Sequence, residues 1–465
     1  MIRFLTALVA VLMLVVAPQA HAADDIDALF TQTETNRLVM KVEAALAQAQ
    51  AELGIIPQDA ADEISRTATL EYAPIDDWEA EYDRVRHRMV ALLNVWRRSL
   101  SPEASDALHL GATTVDIYDT VMIMQLRRAI ELQRAELLEA EQKLLALALE
   151  HRDTPMIGRT LGQHALPITF GKKVAVWAGA NRRNIERLDA VYCRLGTLGV
   201  MRGAVGTHLG LGPQGAQIER LTADALGLGP VSAPDWHGMR DVFGEYAAIL
   251  AIIARVNAGI GEEVFTLQMT DIAEVYEERP GSAVSSSSMP HKRNPSRSEA
   301  LMHLGRVVPA QATIILDDIV NAFERDNTSR PNRVLEEISK RSMDSADDLN
   351  ALLSRLVVDE ARMAANLERT DGMIMAQRLV LELQDDLGKE HAEELVAKAA
   401  RASLADGTTF RQELLADPEL HPLLQGRLDD LLDYRSYLGD AAGQVDRTIA
   451  ELGAPPERPT CAGAR

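Results

Sequence analysis

Apolar residues recur every three to four positions along most of the chain, the period of a helix with one buried face. Thr35 to Leu53 places Leu38, Val39, Val42, Ala45, Leu46 and Ala49 on such a stripe and stops at Gly54, a residue suited to a helix C-terminus. Trp78 to Leu100 repeats the pattern with Val85, Met89, Leu92, Leu93 and Trp96, and carries His87 inside it. Further on the helices lengthen. Thr114 to Arg152 contains neither Gly nor Pro and Asp241 to Glu278 contains no Pro, so each predicts a helix of roughly 55 to 60 Å. Long patterns also run from Phe170 to Gly203, from Ser296 past Pro309, and from Val334 to Leu367. No strand-like alternation of useful length and no internal repeat is visible. Helices this long need partners on both sides, so the expectation is an all-α, elongated long-helix bundle of a kind often shared between subunits.

The same pattern divides the chain. Residues 1–22 read as a signal peptide: Arg3 is followed by an apolar run from Phe4 to Ala17, and Ala20-His21-Ala22 has the small-x-small form of a cleavage site. Residues 23–110 form an N-terminal helical domain, 111–367 the central bundle, and 368–454 a smaller helical C-terminal domain broken by Gly388, Gly407 and Pro418. Pro455, Pro456 and Pro459 make 455–465 a disordered tail. Export implies a periplasmic or secreted protein with no membrane association once the signal is cut. Cys193 and Cys461 are the only cysteines; pairing between them stays open, and they are not a disulfide framework.

Composition narrows the function. With 47% hydrophobic residues but only 4% aromatic, the core must be built from Ala, Leu and Met, which favours close helix packing. A net charge of −21 argues against nucleic-acid binding. One basic segment stands against that acidic field: Gly281 to Pro295, GSAVSSSSMPHKRNP. Pro290 and Pro295 stop helix propagation, and hydroxyls, amides and a lysine gathered on one loop suit an anion. A flexible basic surface loop has the same composition.

Other unusual residues also cluster between helices. Thr113, Thr114 and Asp116 fit helix capping and substrate binding equally well, with His109 four residues upstream. Arg159, Thr160, Gln163 and His164 offer a guanidinium, a hydroxyl, an amide and an imidazole. Arg159 suits bidentate carboxylate binding, and a salt bridge at a helix end is equally cheap. Zinc spacings, a phosphate-binding glycine loop and a hydrolase nucleophile elbow are all missing from the sequence. The expectation is therefore no metal and no cofactor, with acid–base chemistry on a small polycarboxylate.

The run Ser285 to Pro295 closely resembles the signature loop of the fumarase/aspartase superfamily, GSSxMPxKxNP. Further stretches resemble its adenylosuccinate lyase and 3-carboxy-cis,cis-muconate cycloisomerase branch: His109 to Asp116, Gly158 to Gly171, Gly203 to Thr207, Glu324-Arg325-Asp326, the cycloisomerase-like Val42 to Pro57, and the region of Leu395. The resemblance implies an all-helical homotetramer with a twenty-helix core and active sites assembled from three subunits. The expected reaction is β-elimination from a succinyl-type polycarboxylate, cleaving C–N or C–O and releasing fumarate; a cycloisomerase is the alternative and a non-catalytic ligand-binding tetramer a third.

By the same resemblance Ser286 is the base. Lys292 and Asn294 hold the substrate carboxylate on which charge accumulates, and Thr113 and Thr114 bind the other. Glu299 matches the acid that orients a catalytic histidine, and His87 and His109 match lyase histidines. The catalytic set is then Ser286, His164, His87 and Glu299. His109, Thr113, Thr114, Arg159, Gln163, Lys292, Asn294, Arg325 and Arg333 make up the substrate-binding set. Three positions depart from the family pattern: Leu161 stands where many members carry the histidine that protonates the leaving group, Arg88 where an Asp is usual, and Ser285 where the signature has glycine.

Overall fold

The computed structural model describes residues 25–198, 201–234, 238–279, 281, 288–319, 322–325, 332–453, 459 and 461. The expected signal peptide at 1–22 and the expected base, Ser286, lie outside the described residues, as does most of the expected tail.

Five long helices form the centre: Thr114–Glu150, Phe170–Gly196, Asp241–Leu267, Ser296–Asp317 and Asn332–Leu353. Polar ties fix their directions. Arg134 reaches Asp189 at 2.7 Å and Asn181 donates to the Leu137 carbonyl at 2.8 Å, so the first two run antiparallel. The Asp241–Leu267 helix turns back along the second, with Arg194 paired to Glu245 at one end and Lys173 to Glu263 at the other. Asp241–Leu267 and Ser296–Asp317 are antiparallel and approach closely, because a Cβ on Gly305 would stand 2.3 Å from the Ala258 Cβ. Pro309 lies inside the Ser296–Asp317 helix. It cannot donate to the Gly305 carbonyl one turn back, and the Arg255 guanidinium donates to that oxygen instead, at 3.3 Å. The Asn332–Leu353 helix runs parallel to the first, through Gln133 to the Ser339 carbonyl and Asn350 to the Glu136 carbonyl.

Three expected helices are interrupted. Trp78–Leu100 is two helices, Ile75–Val85 and Arg88–Arg97, because Arg86 adopts a left-handed conformation and His87 caps the second. The Asp241 helix ends at Leu267; Ala273 turns the chain at φ 53°, and β3 (Val275–Glu277) pairs antiparallel with β4 (Leu356–Val358). That ladder also splits the expected Val334–Leu367 helix, which resumes as Glu360–Glu368. The Phe170 helix stops at Gly196 rather than Gly203. A strand pair appears where the sequence pattern shows only a loop. β1 (Pro155–Thr160) and β2 (Gln163–Thr169) form a hairpin whose two-residue tip, Leu161-Gly162, has positive φ at both positions.

The N-terminal helices share one hydrophobic core with the half of the bundle that contains the Thr114 end. A second core fills the other half and takes in Val445 from the Ala441–Leu452 helix. Helices between 376 and 432 close a separate C-terminal core. The chain therefore returns from its C-terminal domain to lie along the Phe170–Gly196 helix, where Cys461 is bonded to Cys193.

Candidate active site

The sequence-predicted site residues fall into two groups at opposite ends of the bundle. At the first end, Thr113 precedes the Thr114–Glu150 helix and its backbone N–H donates to the Asp116 carboxylate at 2.9 Å. Asp116 is fully buried and also accepts from the backbone N–H groups of Arg202 and Gly203, at 3.2 and 3.0 Å. One carboxylate thus caps the helix and holds the 201–212 loop against the threonine pair. Gly111 and Gly210 meet backbone to backbone, a Cβ on Gly111 standing 2.4 Å from the Gly210 carbonyl oxygen.

His109 sits beside this cap with its Nδ1 2.7 Å from Glu43, a fully buried carboxylate that the sequence reading missed. Burial pushes the imidazole pKa down, but the Glu43 hydrogen bond and charge outweigh it and hold it above the ordinary 6.5. A raised histidine pKa contributes stability that is complete below 6.5 and is lost as pH rises through the folded value. Glu43→Gln is expected to lower the His109 pKa in an NMR titration. The stability gap between wild type and variant is expected to be widest in acid and to shrink as pH rises. His87, exposed, accepts from the Val90 N–H through Nδ1 at 3.3 Å, which leaves Nε2 to carry the proton. Arg333 begins the Asn332–Leu353 helix at this same end, and Arg325 lies in the connection before it.

At the other end, Arg159 and His164 face each other across the β1–β2 hairpin. The guanidinium expected to meet a substrate carboxylate instead meets Glu274, bidentately at 2.6 and 2.9 Å, and Glu274 is fully buried. Its fork is occupied, so Arg159 is reassigned from substrate binding to holding the hairpin on the bundle. Arg159→Ala strands that carboxylate and is expected to cost roughly 3–5 kcal/mol, read as an earlier midpoint in chemical denaturation. Desolvation lowers the His164 pKa, helped by the Arg159 and Arg369 charges, and its Nδ1 is buried with no partner. Gln163 and Leu161 stand exposed at the hairpin tip.

The described part of the serine loop lies at this end too. Lys292 closes a turn onto the Met289 carbonyl at 3.0 Å and is exposed. The Asn294 carbonyl accepts from Arg279 at 2.9 Å, and the Arg293 guanidinium lies 4.9 Å over the Tyr276 ring. Glu277 of β3 then caps the Ser296–Asp317 helix, accepting from the Arg297 and Ser298 N–H groups and from the Ser298 hydroxyl. That carboxylate fixes where the loop re-enters the bundle, one turn before exposed Glu299.

The 37 residues of the Thr114–Glu150 helix separate the two groups by about 55 Å. The structure brings His87, His109, Thr113, Thr114 and Arg333 to one end, and His164, Gln163, Lys292, Asn294 and Glu299 to the other. They do not meet within one chain.

An all-α bundle carrying hydroxyls and imidazoles at one end and a basic, proline-bounded loop at the other is the frame of a helical lyase. The chain belongs to the lyases of the fumarase/aspartase superfamily: the lyase family matches residues 19–309, and the adenylosuccinate lyase C-terminus family matches 372–448. It is 34% identical over 430 residues to the adenylosuccinate lyase of Methanocaldococcus jannaschii, covering 90% of this chain and 92% of that protein. It is 35% identical over 423 residues to the N-acetyl-S-(2-succino)cysteine lyase of Enterococcus italicus, covering 88% and 90%. The crystal structure of the 3-carboxy-cis,cis-muconate lactonizing enzyme from Pseudomonas putida superposes with a TM-score of 0.83 at 30% identity, covering 92% of this chain and 96% of that one.

Proposed function

We propose that this protein is a homo-oligomeric lyase, a tetramer by family resemblance, that eliminates a leaving group from a succinyl-type polycarboxylate and releases fumarate. The observation that carries the reading is the division of the site residues between two distant ends of one chain of this family. Each end supplies half of what an elimination needs, so the working site joins the ends of different subunits. Exposed Val176, Ile252, Phe265, Ile314 and Leu316 on the long helices support such an assembly.

In this reading Ser286 Oγ removes the proton next to one carboxylate, and Lys292 and Asn294 hold the negative charge that gathers there. Thr113 and Thr114 bind the second carboxylate. Electrons of the cleaved C–H bond form the C=C bond while the bond to the leaving heteroatom breaks. His164 delivers the proton that the departing atom takes up; its depressed pKa makes its protonated form a readier donor. The names of the relatives set the trial substrates, succinylated purine nucleotides and succinylated thiols. Release of fumarate, read by its ultraviolet absorbance over a panel of N-, O- and S-succinyl compounds, tests the proposal. Turnover of 3-carboxy-cis,cis-muconate without fumarate would instead establish the cycloisomerase reading, which Leu161 at the hairpin tip favours because no imidazole stands there.

Export is part of the proposal. The apolar run after Arg3 and the Cys193–Cys461 bond support an oxidising destination. N-terminal sequencing of the mature protein is expected to begin at Ala23; a chain still beginning at Met1 removes the claim.

A further inference from the structure

Starting one helical turn beyond the threonine pair lies a cavity of about 220 Å³ whose wall includes Arg88, Arg333, Tyr118, Glu336, Phe30 and Met122. Tyr118 is one helical turn beyond Thr114, so the two side chains leave the same face about 6 Å apart. The cavity is therefore a continuation of the carboxylate-binding end. Its volume is below the roughly 300 Å³ at which pockets for whole ligands begin, so it suits one end of a molecule held elsewhere.

The wall is built for negative charge. Two guanidinium-bearing residues line it, and among the described residues neither side chain has a carboxylate partner. The carboxylate they share the wall with is already engaged: Glu336 accepts from Lys340 at 2.9 Å, and Lys340 also pairs with Asp27. The Tyr118 hydroxyl is buried with no hydrogen-bond partner. Burial pushes its pKa up to about 12, with nearby Arg88 opposing the shift, so it stays a donor throughout the physiological range. The buried Tyr118 donor is costly to leave unsatisfied, and with two exposed guanidinium groups lining the same small space it favours an anion there. Arg88 is also the position at which the chain departs from the aspartate usual in lyases it resembles. An aspartate there would repel what the arginine attracts.

We propose that this cavity receives an anionic group, a carboxylate or phosphate, carried by the leaving half of the substrate, and that Arg88 is the residue that selects for it. The inference rests on the lyase reading only for which half of the substrate enters. Arg333 supplies the second cation, and Tyr118 donates a hydrogen bond to the bound oxygen. A neutral leaving group of the same size can still accept from Tyr118 but gains nothing from the two guanidinium charges.

The test separates the pocket from the reaction. Inorganic phosphate is titrated calorimetrically into full-length enzyme saturated with fumarate, which fills the carboxylate end. Arg88→Ala is expected to weaken phosphate binding by about tenfold or more and Tyr118→Phe by about threefold, with thermal melts confirming that both variants fold. Undetectable binding to the wild type, or equal binding by wild type and Arg88→Ala, overturns the proposal. In turnover, N-acetyl-S-(2-succino)cysteine is compared with its cysteine-side carboxamide. The wild type is expected to prefer the acid about tenfold in kcat/KM, and Arg88→Ala to lose that preference; a preference unchanged in Arg88→Ala overturns the role given to it. Should no succinyl compound be turned over while phosphate binding still depends on Arg88, the lyase reading falls and the anion pocket stands.

Discussion

Ser286→Ala is expected to lower turnover by at least about a thousandfold while leaving fumarate or substrate-analogue binding within about tenfold of wild type. A serine hydroxyl has no tendency to ionise near neutrality, so it serves as a base only where donors surround the forming oxyanion. In the proposed mechanism the loop's sequence offers them: four further serines, the backbone amides of a segment bounded by Pro290 and Pro295, and Lys292. These groups act on charge that exists only while the proton is in transit. In the proposed mechanism, removing the hydroxyl therefore removes a transition-state interaction and spares the ground-state contacts assigned to the threonine pair. Single-turnover fumarate release together with calorimetric binding measures both quantities. An active Ser286→Ala enzyme would falsify the assignment of the base, and loss of binding in step with turnover would make Ser286 a substrate-binding residue.

What was legible in the sequence was local. The Thr114–Glu150 helix follows from a long run without Gly or Pro, and the Ala- and Leu-rich stripe of the N-terminal helices locates their buried faces. The serine loop and the threonine pair stood out because neither composition serves a core. Contacts between distant segments decided the rest. Residues 268–278 continue a helical spacing through Met269, Ile272 and Tyr276, yet β3 pairs with β4 some eighty residues later, a partner no local period announces. The β1–β2 hairpin escaped notice because its register shifts between Ile157 and Arg159, which breaks the alternation that marks a strand. Arg159 illustrates the limit most directly. Its chemistry fits a substrate carboxylate and a protein carboxylate alike, and only the fold, by placing buried Glu274 115 residues away in sequence at 2.6 Å, decides between them.

The same geometry makes complementation between two inactive enzymes the expected result of mixing them. Thr113→Ala together with Thr114→Ala damages one end of the bundle, and Lys292→Met damages the other; each alone is expected to reduce turnover by about a hundredfold or more. Within one chain the two ends stand about 55 Å apart, so a site that uses both must borrow them from different subunits. When the two variants are unfolded together, mixed in equal amounts and refolded, sites assembled from one intact threonine end and one intact lysine end reappear. Random assembly with two independent contributors places intact partners together in about a quarter of sites. The mixture is therefore expected to recover up to about a quarter of wild-type turnover, whereas each variant refolded alone stays inactive. A site contained within one chain predicts no recovery, because every chain in the mixture carries a damaged half. Subunit exchange without unfolding would give the same recovery at a rate set by dissociation of the assembly, and its concentration dependence would report how many subunits must come together before a site exists.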